Sequence, residues 1–140
     1  MPETADTNPI ALGLPHREPF IFVDAVLAHT PGESAECVKI FPLSTPFFAG
    51  HFPGDPLVPG VILAEALAQT AGLAAGQSGR AFRLTALKSM KFPSAARPDE
   101  ELRLYARKVA AVGGLWQFEC RASVGDRVVA EGVVVLSEVL

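Results

Sequence analysis

The chain has 140 residues, 49% hydrophobic and 19% charged, with a mean hydropathy of +0.30, which suits one globular domain and excludes disorder as its main state. Its net charge of −3 and pI near 5.6 give nonspecific nucleic-acid binding no electrostatic support. The most apolar long segment, Val61 to Ala75, is broken by Glu65, Gln69 and Thr70 before it could cover a bilayer, so no membrane span is expected.

A domain of this size buries roughly 70% of the surface its unfolded chain exposes, enough to fold without disulfides or a structural metal. Cys37 and Cys120 stand alone, with no Cys or His at ligand spacing, and read as reduced thiols with no metal between them. Met1 to Pro15 contains no Lys or Arg and no unbroken apolar stretch, so no secretory signal is read there and a cytoplasmic location is expected.

In chain order, residues 1–13 carry no periodicity and are expected to form a flexible arm, with a single domain over 14–140. Phe20–Ala28 and Ala35–Phe41 suit two strands joined by a Pro31-Gly32 turn. Between Pro42 and Gly60, five prolines and three glycines forbid a helix interior or a central strand, leaving a long stiffened loop. Val61–Ser78 reads as an Ala/Leu-rich helix about 27 Å long, closed by Gly76 and Gly79. Its apolar residues fall on nearly all sides, so it must be buried. Arg83–Phe92, Glu101–Ala111, Leu115–Val124 and Val128–Leu136 alternate as strands, with turns at Pro98-Asp99, Gly113-Gly114 and Gly125-Asp126. A helix apolar all round needs more than one flat wall, which predicts an α+β domain whose antiparallel sheet wraps the central helix.

Chemistry concentrates in Gly50 to Gln69, where His51 sits in the stiff loop and Glu65 sits inside the apolar helix. A buried carboxylate is costly unless paired, which makes Glu65 either a retained acid with a raised pKa or the structural partner of an arginine or a backbone group. His51 is either a base or a hydrogen-bonded loop histidine. Pro59 cannot lie within the helix, so the helix starts near Gly60 or Val61 and presents unpaired N–H groups there, suited to an oxyanion. Base, acid and amide donors are expected to converge on one small volume, the equipment for removing a proton beside a carbonyl and expelling a leaving group from the next carbon.

Leu14 to Asp24, LPHREPFIFVD, resembles the opening L-P-H-R-x-P-F-x-x-V-D of the 3-hydroxyacyl-[acyl carrier protein] dehydratases of the FabZ type. Pro46 to Ala66 resembles their central P-F-F-x-G-H-F-P-x-x-P-x-x-P-G-V-x-x-x-E-A, and weaker similarity runs to about residue 137. The resemblance implies the hot-dog fold and a dimer or trimer of dimers, with a paralogue as a possible alternative partner. It also implies that His51 of one chain meets Glu65 of the other, and that the Gly60 N–H holds the thioester carbonyl. No metal or cofactor is implied, since the substrate rides on the phosphopantetheine of acyl carrier protein. Two departures stand out: KFPSAARPDE at Lys91–Glu100 lacks the family's basic pair, and Glu18 replaces a common tyrosine.

Phe47, Phe48 and Phe52 flank His51 and either line the mouth of the substrate site, with Gly60 and Val61, or serve as ordinary core or dimer contacts. From Arg80 to Lys108 there are eight cations against three acids, a local +5. Lys91 and Arg97 in this stretch are expected to dock the acidic carrier, the alternative being that these cations face outward on solvated strands and serve only solubility. The competing functions are a hot-dog acyl thioesterase and a non-catalytic acyl-binding subunit that supports a dehydratase paralogue.

Overall fold

A computed structural model describes residues 7–76 and 81–139. Six strands form one antiparallel sheet: β1 (Ala25–Thr30), β2 (Ser34–Ile40), β3 (Ala81–Lys91), β4 (Glu101–Val112), β5 (Leu115–Val124) and β6 (Arg127–Val139). Their order is β1-β2-β4-β5-β6-β3, so β1 and β3 are the edges. The single long helix, α1 (Gly60–Ala75), joins β2 to the far edge and packs against every strand. This is the hot-dog arrangement.

The helix forms because Ala and Leu fill it and Pro59 fixes its entry. Leu63, Ala66, Leu67, Thr70, Ala71 and Ala74 are fully buried on the sheet side, and the core continues through Leu102, Leu104, Phe118, Val129 and Val134. One stripe is not covered by the chain's own sheet: Val61 is 76% exposed, and Glu65, Gly72 and Gly76 follow it at helical spacing as half-buried positions. The C-terminal carbonyls of α1 meet the β1–β2 hairpin, where His29 Nε2 donates to the Leu73 carbonyl at 2.8 Å and the Gly32 amide to Ala74 at 2.8 Å. Among the described residues, no helix is long and apolar enough to cross a membrane.

Several sequence boundaries shift. The Phe20–Asp24 part of the first predicted strand lies outside the ladder, with bends at Phe20 and Asp24, so β1 starts at Ala25. Thr7–Gly13 is not a loose arm: Leu12 and Gly13 amides bond back to Asn8 and Ile10, and the Val26 amide bonds to the Thr7 carbonyl at 2.9 Å. Residues 1–6 lie outside the described residues. The stiff loop contains a short 3-10 helix, Pro46–Ala49. The helix ends at Ala75, because Gly76 has ψ 134 and is extended; Ser78, Gly79 and Arg80 lie outside the described residues. The Gly113-Gly114 turn has the positive φ values, 57° and 84°, that favour glycine. Between Lys88 and Lys91, β3 carries one residue more than β6, and this bulge presses on Gly132.

Candidate active site

His51 follows the 3-10 helix and is fixed by two bonds across its loop. Its carbonyl accepts from the Leu57 amide at 2.9 Å, and its Nδ1 lies 3.2 Å from the Leu57 carbonyl. A carbonyl only accepts, so Nδ1 carries the proton, and in the neutral ring Nε2 is left with a free lone pair. The ring stacks on Phe52 at 4.4 Å, across a cis peptide bond. The next loop segment is tied down by the Val58 amide, which bonds to the Ala96 carbonyl at 2.8 Å.

His51 and Gly60 line one depression together with Leu57, Leu63, Phe92 and Ala96. The helix N-terminus has no side-chain cap, and the Pro59 carbonyl is taken by the Ile62 and Leu63 amides. The Gly60 and Val61 amides therefore have no intrahelical acceptor and carry the positive end of the helix dipole. His51 and the first amides of the helix thus share one wall.

Glu65 is elsewhere. It lines a second depression with Leu14, His16, Gln69 and Gly72, so within one chain the three groups do not converge as the sequence reading expected. Nor is its setting purely apolar. Its side chain is 20% exposed, its Oε2 accepts from Gln69 Nε2 at 3.2 Å, and His16 Nε2 lies 3.5 Å from the same oxygen. No arginine pairs with it among the described residues.

The phenylalanines divide. Phe52 is 54% exposed on His51, whereas Phe48 is 2% exposed and packs on Phe47 at 4.8 Å, within the core. Phe92, which sequence reasoning did not single out, takes the lining position. Gln69 and His16 were also passed over as functional residues, although the i, i+4 spacing of Glu65 and Gln69 already placed them on one helix face.

Three cations of the +5 stretch are paired with acids that lie outside it. Arg97 bonds Asp55, Arg107 bonds Glu119 across β4 and β5, and Arg103 meets Glu36 at 2.8 Å. Lys108 lies over the Trp116 ring at 4.8 Å. Lys91 is exposed at the end of β3, beside Phe92, and no ion pair among the described residues holds it.

The fold and this arrangement define a hot-dog domain of the FabA-like class, and residues 14–133 match the FabA-like domain family. The chain is 38% identical over 127 residues to the 3-hydroxyacyl-[acyl-carrier-protein] dehydratase FabZ of Nitratidesulfovibrio vulgaris, covering 86% of this chain and 82% of that protein. It is 40% identical over 124 residues to the enzyme of the same name from Oleidesulfovibrio alaskensis, covering 84% and 80%. Among solved structures, a chain of the dehydratase heterocomplex ApeI:P from Xenorhabdus doucetiae superposes with a TM-score of 0.78 at 17% identity, covering 94% of this chain and 91% of that one. The chain belongs to the FabZ-type 3-hydroxyacyl-[acyl-carrier-protein] dehydratase family.

Proposed function

We propose that this chain removes water from a 3-hydroxyacyl thioester carried on acyl carrier protein, giving the trans-2-enoyl thioester in fatty acid or related biosynthesis. The observation that carries the reading is the pairing of a free His51 Nε2 with uncapped helix amides in one depression. The open stripe of α1, with Glu65 on it, supports a homodimer in which His51 of one protomer faces Glu65 of its partner.

In that site Nε2 of His51 takes the C2 proton, and the developing enolate oxygen accepts from the Gly60 and Val61 amides. The C3–O bond then breaks, Glu65 passes its proton to the departing hydroxyl, and water leaves. His51 gives up the acquired proton and Glu65 regains one before the next turnover. Phe52 and Val61 supply apolar surface at the mouth, and Lys91, with a smaller part from the Asp55-paired Arg97, receives the acidic carrier. All of these groups are side chains or backbone amides, so the scheme uses no metal or cofactor.

The test supplies the purified chain with a 3-hydroxyacyl thioester on carrier protein and follows formation of the conjugated enoyl product. His51→Ala and Glu65→Gln should each lower the rate about a hundredfold or more. Full activity in either folded variant overturns the scheme. Release of free thiol instead of enoyl product would establish a thioesterase, and activity only after a paralogue is added would establish a supporting subunit.

A further inference from the structure

The groups that hold Glu65 carry a reading that rests on its role as the acid. Gln69, one turn further along α1, is 1% exposed. Its Oε1 accepts from the Phe22 amide at 2.8 Å, while its NH2 donates to the Phe20 carbonyl at 3.0 Å and to Glu65 Oε2 at 3.2 Å. The amide has one acceptor end, so the backbone of residues 20–22 dictates which way it points. Reversed, its oxygen would oppose both the Phe20 carbonyl and the Glu65 carboxyl.

His16 reaches the same oxygen from another element, with Nε2 at 3.5 Å from Oε2 and its ring stacked on Phe20 at 6.2 Å. Arg17 Nη1 donates to the carbonyls of Leu14, Pro15 and His16 at 3.0, 3.2 and 2.8 Å, holding the segment that carries His16 in a turn. His16 Nδ1 is buried without a partner among the described residues. A ring with its proton on Nε2 avoids burying an unpaired N–H and sets the donor on the Glu65 side.

Both neighbours act on Oε2, and no described residue bonds Oε1. We infer that Gln69 and His16 are positioning residues which fix the Glu65 carboxyl so that Oε1 alone is presented to the substrate hydroxyl. Neither touches the reacting atoms; both act through Glu65. This gives the conformation of residues 14–22, remote in sequence from His51, a direct effect on turnover.

The test uses the full chain with a 3-hydroxybutyryl thioester on acyl carrier protein. Gln69→Met keeps side-chain length and removes the hydrogen bonds, and kcat should fall about tenfold or more while KM stays within about twofold. His16→Phe keeps the stack on Phe20 and leaves every Gln69 bond in place, so it answers even where Gln69→Met does not fold; kcat should fall about threefold or more. Each change is repeated in Glu65→Gln at high enzyme concentration, where no acid remains to aim and the further loss should be less than about twofold. An unchanged kcat in the folded single variants, or the same fold-loss in both backgrounds, overturns the inference while leaving the acid assignment intact. A fully active Glu65→Gln overturns the acid assignment and this inference with it.

Discussion

The far edge of the Phe92 ring points at the α-carbon of Gly60: a Cβ at that position would lie 3.3 Å from Cζ and 3.4 Å from both Cε atoms. Phe92 is 47% exposed, so the ring can yield outward, and alanine is intrinsically a better helix former than glycine. Gly60→Ala should therefore change stability by less than about 1 kcal/mol, but displace the wall beside His51 and lower kcat/KM about tenfold. Thermal melts and steady-state kinetics on the same preparation check both halves, and unchanged kcat/KM refutes the placement.

Separate placement of His51 and Glu65 in the chain gives a sharper test of the shared site. Mixed and exchanged, inactive His51→Ala and Glu65→Gln subunits form half heterodimers, each with one intact pair. Activity should return to about a quarter of the parent value under full random exchange. A site completed within one chain gives no recovery.

Gly132 accepts the β3 bulge at a distance no side chain tolerates, because a Cβ would lie 2.7 Å from the Met90 α-carbon and 3.1 Å from the Lys88 carbonyl oxygen. These are backbone atoms within the ladder. Gly132→Ala should cost about 2 kcal/mol or more and lower Tm by about 5 °C or more. A denaturant midpoint equal to the parent's would show that β3 relaxes freely.

Much of this was legible in the sequence. The glycine turns and alternating runs give β4, β5 and β6 within a few residues, and the all-round apolar pattern of 61–75 already demands a wrapped helix. Phe20–Asp24 misled because its apolar residues are real core, Val23 being 1% exposed, but the Phe20 carbonyl and the Phe22 amide bond to the Gln69 side chain, and a bond to β2 is made at Asp24, where the Asp24 amide reaches the Val38 carbonyl. Periodicity registers burial, not the hydrogen-bond partner. The position of Phe92 depends on the end of β3 and its bulge, and the neutralised cations depend on register, as in Arg107 opposite Glu119; neither follows from local pattern.

Carrier docking should follow that register. Since Arg97 is spent on Asp55 and Lys91 is exposed, Lys91→Glu should raise KM for the carrier-borne substrate about fivefold, and more than Arg97→Glu does. The coenzyme A thioester should be unaffected, and the difference should shrink as salt rises. Equal effects on both thioesters would place docking elsewhere.

Burial pushes both thiols, Cys37 and Cys120, up to about 12 from 9.0. The unfolded chain loses these protons near the ordinary value, whereas the native chain keeps them until about 12. Their contribution is therefore complete below about pH 9 and declines as pH rises toward 12, by up to about 1.4 kcal/mol per pH unit for each thiol. Denaturant unfolding at several alkaline pH values should show a shallower decline once both are replaced by Ala; an unaltered slope contradicts the assignment.

The two ends of α1 are finished differently. At one end His29 and Gly32 cover the last carbonyls from inside the domain, so that end cannot fray unless the β1–β2 hairpin opens with it. At the other, Pro59 and Gly60 leave the first amides uncovered. Among the described residues, α1 thus carries an open electropositive end on a rod anchored at its opposite end. Under the proposed scheme, negative charge developing on the substrate would settle at this open end, while the opposite end stays tied to the hairpin.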